Sequence, residues 1–203
     1  MKETLKRLYL LLTLVRSTPH QCLFSLSTQR AVIEQDLARW REYGRLPMKR
    51  YKSFSLALLY YPEFRNLFYY RIRSEFPILL HFLQWLYPPL DTLYINTPSI
   101  GPGLFIQHGF CTIIAANRIG KHCWINQQVT IGYTNETDRP TLEDNVTVYA
   151  GAKVIGKVTV GANSIVGANA VVVRNVPPNC TVVGVPARII RMNGRRVEPI
   201  SLK

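Results

Sequence analysis

The sequence has no pair of neighbouring cysteines: Cys22, Cys111, Cys123 and Cys180 stand far apart. That spacing excludes a disulfide framework and a cysteine-rich zinc site, and makes a reducing cytoplasm the default location. Long apolar runs are also missing. The longest near the N-terminus, residues 8–15, falls well short of the roughly 20 residues that span a bilayer. It carries no small-residue cleavage site, so no signal peptide is expected. Gly 12 and Pro 13 are ordinary totals, which excludes collagen-like and low-complexity chains. Acidic residues are few, 12 against 25 Lys+Arg. Despite the resulting basic charge, the chain has no helix-turn-helix, zinc finger or aromatic–basic RNA motif, so nucleic acid is not an expected partner.

What is present is a globular chain of 203 residues, 47% hydrophobic and 18% charged, with a net charge of +13. Residues 1–90 hold 14 Lys+Arg against 6 Asp+Glu, and 12 of the 22 aromatic residues fall between Tyr51 and Tyr87. Such a segment suits an anionic membrane surface or an acidic polymer, or forms a solvated basic face over an aromatic core. It reads as helical. Thr28 is placed to cap a helix running to Tyr43, with Ile33, Leu37 and Trp40 on one face and Gly44 and Pro47 at its end. Residues 62–73 open on Pro and Glu and close on Arg71 and Arg73, which complements a helix dipole. Residues 77–85 form an apolar helix stopped by Pro88 and Pro89, and residues 2–16 a further candidate. His20 and His81 fall in this region and read as structural.

From about Ile95 the helical period gives way to a period of six. Leu142, Val148, Val154, Val160, Val166 and Val172 are each six residues apart, and Ile113, Ile119, Ile125 and Ile131 keep the same spacing upstream, as do Ile100 and Ile106. Four residues after most of these stands a small or slim side chain: Cys123, Val129, Val146, Ala152, Val158, Ser164, Ala170, Val176. A triangular coil of three short strands explains both sets. The aliphatic residue points inward from each edge, and only a slim residue fits near each corner. Eighteen residues per coil give four to five coils. A β-sandwich would instead alternate with period two. The phase breaks at a spacing of seven between Ile106 and Ile113, where His108 lies. It breaks again between Ile131 and Leu142, where the polar stretch YTNETDRPT should leave the prism as a loop.

The stretches GLFIQHG, VTIGY, DRPTLEDNVTVYAGAKVIGKVTVGANSIVGANAVV and VPPNCTVVGVPARIIR resemble serine acetyltransferases and related hexapeptide-repeat O-acetyltransferases. The resemblance covers residues 91–191. It implies a left-handed parallel β-helix, preceded here by an α-helical region (1–90) and followed by a C-terminal tail (192–203). It further implies a homotrimer that binds acetyl-CoA between prisms, without a metal, in the cytoplasm. By motif, His108 is the general base that takes the acceptor hydroxyl's proton. Arg139 matches an arginine of the family's acceptor loop, while Pro140 stands where the family has histidine. Gln107 stands where the family has an aspartate before the catalytic histidine. The family's orienting aspartate falls near Leu93 and Tyr94. These departures tilt the expected acceptor from L-serine towards the hydroxyl of a sugar or polysaccharide precursor.

Further expectations concern the rest of the site. A backbone N–H at the Gly132–Tyr133 step is the candidate for stabilising the tetrahedral oxyanion. Ala150, Gly151, Ala168 and Asn169 suit a narrow groove for the pantetheine arm, and Lys153, Arg188 and Arg191 can meet phosphates. Arg195, Arg196 and Lys203 continue that basic end. His122 is the second candidate base. A zinc enzyme of this architecture, like the γ-class carbonic anhydrases, needs three histidines, and this region has two. Peripheral association with the inner face of a membrane is a further expectation. The alternative function is a non-catalytic β-helix scaffold that binds acidic glycan or a membrane surface.

Overall fold

The computed structural model describes residues 2–44, 46, 50–135 and 137–202, and the chain divides into two compact units, Met1–Leu90 and Asp91–Lys203. The first unit contains six helices among the described residues: α1 (Lys2–Arg16), α2 (Thr18–Leu26), α3 (Arg30–Gly44), α4 (Arg50–Tyr60), α5 (Pro62–Ile72) and α6 (Pro77–Leu86). Its core is aromatic. Phe54 stacks on Phe24 at 4.9 Å and meets Phe68 edge-on at 5.1 Å, while Trp40 packs on Phe64 at 5.6 Å. Such ring pairs stabilise beyond the apolar area they bury.

One expectation for this unit changes. Thr28 does not cap α3; its hydroxyl and amide donate to the Glu75 carboxylate, at 2.8 and 3.0 Å. Arg71 stands in the last turn of α5, where the sequence places it, and is buried there, forming a bidentate pair with buried Asp36 at 2.9 and 3.2 Å that ties α5 to α3. Pro47, expected to stop α3, lies outside the described residues. His20 is buried against Tyr69 and Tyr87, with its Nε2 3.0 Å from the Tyr69 hydroxyl, whereas His81 is exposed.

The second unit is a three-sided prism. Its first coil is β1 (Leu93–Ile95), β2 (Ser99–Ile100) and β3 (Phe105–Gln107), and its second is β4 (Thr112–Ile114), β5 (Arg118–Ile119) and β6 (Trp124–Asn126). The third is β7 (Thr130–Gly132), β8 (Thr141–Leu142) and β9 (Thr147–Val148), and the fourth is β10 (Lys153–Ile155), β11 (Thr159–Val160) and β12 (Ile165–Val166). β13 (Val171–Val172) and β14 (Cys180–Val183) begin a fifth. Face 1 is the parallel sheet β1-β4-β7-β10-β13, face 2 is β2-β5-β8-β11, and face 3 is β3-β6-β9-β12-β14. This is the left-handed parallel β-helix of hexapeptide repeats. Each hexad aliphatic from Ile119 to Val172 is buried, as is each slim residue four positions later from Cys123 to Val176. At the vertex between faces 2 and 3, Asn145 donates to Asn163 at 3.1 Å and Asn163 to Asn179 at 3.0 Å, each with positive φ. Asparagine tolerates that left-handed backbone, so the ladder fixes successive corners in register.

The register of the second coil departs from the hexad count. Ile113 is 43% exposed, and Ile114 is the buried member that stacks on Ile131. The corner after Ile106 is therefore longer by two residues, and the edge after Ile114 shorter by one. At the other end, β15 (Arg188–Met192) and β16 (Arg195–Ser201) add to face 3 as antiparallel strands. Most of the stretch expected as a tail is thus an ordered edge strand.

Candidate active site

His108 stands on the enlarged corner between β3 and β4, at the vertex joining faces 3 and 1. Two of its residues, His108 and Cys111, both hold φ 53, a conformation that costs a non-glycine residue energy and persists only when the surroundings fix it. The surroundings do so here. The Phe110 amide donates to the His108 carbonyl at 2.7 Å, the Gln128 amide to the Phe110 carbonyl at 3.1 Å, and Thr112 Oγ1 to the same carbonyl at 3.2 Å. The result is an exposed imidazole on a rigid backbone. Among the described residues, no side chain or backbone group bonds to its ring.

Below His108 along the same vertex, successive coils place Gln128, then Ala150 and Gly151, then Ala168 and Asn169, then Gly184. The Gly151 amide donates to the Gln127 carbonyl at 3.0 Å, Asn169 to Ala150 at 2.9 Å, and Val171 to Gly184 at 3.0 Å. The four groove residues named from the sequence therefore share one edge with His108. That edge is narrow because its residues are small; Asn169 Oδ1 occupies the space a Gly151 side chain would take. Lys153 follows on face 1, its Nζ donating to the Gln128 carbonyl at 2.7 Å.

Beside His108, the outward residues of face 3 form a polar patch. Asn126 Nδ2 lies 3.5 Å from Gln107 Oε1, and Asn126 Oδ1 and Gln127 Oε1 are buried atoms with no hydrogen-bond partner among the described residues. Asn126 and Gln127 were missed in the sequence, because an outward residue in a hexad carries no periodic signal.

Other candidates lie elsewhere. Gly132, Tyr133 and Arg139 sit at the vertex between faces 1 and 2, the far side of face 1 from His108 in the same chain. There Arg139 donates to the Asn96 carbonyl at 3.2 Å and lies over the Tyr133 ring at 5.3 Å. The loop is cross-linked by Asn135, which donates to Asp138 at 2.8 Å and accepts from the Thr137 and Asp138 amides. The Gly132 carbonyl accepts from the Gly156 amide at 3.0 Å. His122 is on the third vertex, its ring lying against Gly103, so the two histidines of this unit do not converge.

The cationic candidates separate as well. Arg188 joins Arg174, which the sequence reading had passed over, in a cavity of about 280 Å³ lined also by Val173, Pro186 and Ala187. Arg191 faces a different groove, of about 580 Å³, with Asn163, Asn179 and Asn193. Lys203 lies outside the described residues. The thiols of Cys123 and Cys180 are buried in the prism, and burial pushes the Cys123 thiol up to about 12, so both are packing groups.

A stacked triangular coil with a histidine on an enlarged corner defines a hexapeptide-repeat transferase architecture. Residues 139–174 match the family described as "Bacterial transferase hexapeptide (six repeats)". The chain is 40% identical over 154 residues to the serine acetyltransferase of Synechococcus elongatus, covering 71% of this chain and 63% of that protein. It spans about half the length of other curated relatives it matches. The serine acetyltransferase of Neisseria gonorrhoeae in complex with serine superimposes with a TM-score of 0.63 at 30% identity, covering 83% of this chain and 72% of that one. A serine acetyltransferase in complex with CoA gives 0.65 at 27% identity, covering 84% and 73%. The chain belongs to the serine acetyltransferase-like family of hexapeptide-repeat O-acetyltransferases.

Proposed function

We propose that the protein is an acetyl-CoA-dependent O-acetyltransferase with His108 as its general base. The observation that carries this reading is the single edge that aligns an exposed, conformationally fixed imidazole with a file of small residues. A pantetheine arm has little bulk and carries amides, which suits such an edge. His108 takes the acceptor hydroxyl's proton as that oxygen attacks the thioester carbonyl. The tetrahedral intermediate then collapses, and the departing CoA thiolate takes the proton back from the imidazolium. Arg174 and Arg188 meet the phosphates of CoA. The protein works as a homotrimer, since Arg139 and the Gly132–Tyr133 step, a full face away from His108 in one chain, reach a His108 site only from an adjacent copy.

The acceptor favoured is a sugar hydroxyl, on a small molecule or a glycan precursor, at the inner face of a membrane. Gln107 and Asn126 are neutral amides beside the base, and the unpartnered Asn126 and Gln127 oxygens call for hydroxyl donors. L-serine is the second reading, favoured by the names of the relatives. The test is thiol release from acetyl-CoA across L-serine, homoserine and nucleotide sugars. His108→Ala should lower the rate by about 10² to 10⁴ with the circular dichroism unchanged. Equal rates in wild type and variant would refute the role of His108, and L-serine far outpacing every sugar would refute the acceptor.

A further inference from the structure

Two arginines beside the fifth coil are left without a counter-charge. β15 turns into β16 through Asn193 and Gly194, whose φ of 51 and 77 make the two-residue turn that suits a twisted hairpin. The register sets Arg191 opposite Thr181 on one side and opposite Arg196 on the other, so these three side chains share the outer surface of face 3. Directly opposed residues of an antiparallel pair hold their Cβ atoms about 4.5–5.5 Å apart, and like charges there repel. Among the described residues neither guanidinium makes a hydrogen bond or an ion pair, and Glu198, the hairpin's own acid, pairs with neither.

Arg191 lines the open groove of about 580 Å³ together with Thr181, Ile165, Asn163, Asn179 and Asn193. That volume is in the range of small-molecule sites. Among the described residues no carboxylate lines the groove. The asparagine ladder also runs into it. Asn145 donates to Asn163 and Asn163 to Asn179, and Nδ2 of Asn179, last in the series, donates to no group among the described residues. Hydrogen bonds in series polarise one another, so the ladder turns its donor end towards the groove.

We infer that this groove binds an acidic saccharide, a sugar unit that carries a carboxylate. The opposed arginines fork onto the carboxylate, which relieves their repulsion. Asparagine holds a donor and an acceptor side by side, and threonine both in one hydroxyl, the set that neighbouring ring hydroxyls require. Ile165 offers a small apolar surface to the C–H face of a ring. No aromatic side chain lines the groove among the described residues, so the adenine of CoA has nothing to stack on here. The groove stands at the vertex between faces 2 and 3, about three coils below His108, which is roughly 15 Å along the prism at about 4.8 Å per strand. In the homotrimer proposed above, the His108 vertex of one copy meets the Arg139 vertex of the next, which leaves this third vertex turned outward. Saccharide binding here needs neither His108 nor CoA, so its failure would leave the acetyl-transfer reading standing.

The full-length protein is titrated by calorimetry with hexagalacturonate, with the neutral maltohexaose, with inorganic phosphate and with CoA. Hexagalacturonate should bind and maltohexaose should not. Arg191→Gln and Arg196→Gln should each weaken hexagalacturonate binding about tenfold and Thr181→Val about threefold, while Arg118→Gln, at an exposed arginine of face 2, leaves it unchanged. CoA should bind all four variants as it binds the wild type. None of the four side chains is buried, so circular dichroism should not change. No binding of hexagalacturonate, binding of maltohexaose with equal affinity, or equal losses in Arg118→Gln and Arg191→Gln overturns the inference. So does phosphate bound as tightly as hexagalacturonate, which makes the groove a plain anion site. Weaker CoA binding in Arg191→Gln overturns it too, by assigning the groove to the cofactor.

Discussion

Two glycines of the prism should respond to the same methyl group in the reverse of the order their backbone angles suggest. Gly151 has φ +73, and a Cβ there would stand 2.0 Å from Asn169 Oδ1. Asn169 is exposed and its amide can swing aside, so Gly151→Ala costs little beyond the left-handed backbone, about 1–2 kcal/mol. Gly161 has an ordinary backbone conformation, yet a Cβ there would stand 2.4 Å from the Pro178 nitrogen and 2.8 Å from the Pro177 carbonyl carbon and Pro178 Cα. Backbone cannot swing. The Pro177–Pro178 segment is held by Ser164 Oγ donating to the Pro177 carbonyl at 2.8 Å, and its flanks by Gly161 donating to Val176 at 2.8 Å and Asn179 to Ala162 at 2.8 Å. Lifting the coil by roughly 1 Å, against a strand spacing of about 4.8 Å, sacrifices these three bonds. At about 1 kcal/mol each, with loosened packing added, Gly161→Ala should cost about 3 kcal/mol or more. Urea denaturation followed by circular dichroism measures both. Equal losses, or a larger loss in Gly151→Ala, would refute the close-approach argument and show that the diproline segment yields to a methyl group.

In the helical unit, Asp36→Ala strands a buried guanidinium and should cost about 3–5 kcal/mol by chemical denaturation; Asp36→Leu with Arg71→Met should recover most of it. Burial pushes the His20 imidazole from 6.5 down to about 4. The unfolded chain therefore binds that proton more readily, and His20's contribution to stability, complete above pH 6.5, is lost as pH falls from 6.5 towards 4. Thermal melts of His20→Gln should be flatter across that window than those of wild type. Arg174→Ala and Arg188→Ala should each weaken CoA binding about tenfold by calorimetry while changing dephospho-CoA binding less, if the cavity they share holds the ribose phosphate.

The prism was legible in the sequence because one inward aliphatic per edge is a steric demand repeated every six residues, and repetition makes it visible. It failed at one place. Ile113 fits the count, yet Ile114 faces inward, because the corner at His108 is longer than the count allowed and a one-residue shift reverses which side chain points in. The helices were less legible. α2 carries Pro19 in its first turn and follows α1 with only Ser17 between, so no run of turn residues separates the two helices in the sequence. α4 buries Ser53 and Ser55 beside Phe54, Ala57 and Leu58, so it lacks the polar face that marks an amphipathic helix. The candidate site divides the same way. His108 was named by motif and the small residues after it by their size, whereas Asn126, Gln127 and Arg174 stand at outward positions that no packing rule constrains.

The sequence by itself determined the coil, since filling a narrow triangular core dictates residue size at fixed intervals. Only the tertiary structure decided which vertex each polar residue occupies. That assignment depends on the number of residues spent at every preceding corner, so a two-residue insertion alters the register of an edge while leaving the composition unchanged. For this reason His108 and Gly151, far apart in the chain, share an edge, while Arg139 and His122 are carried to the other two.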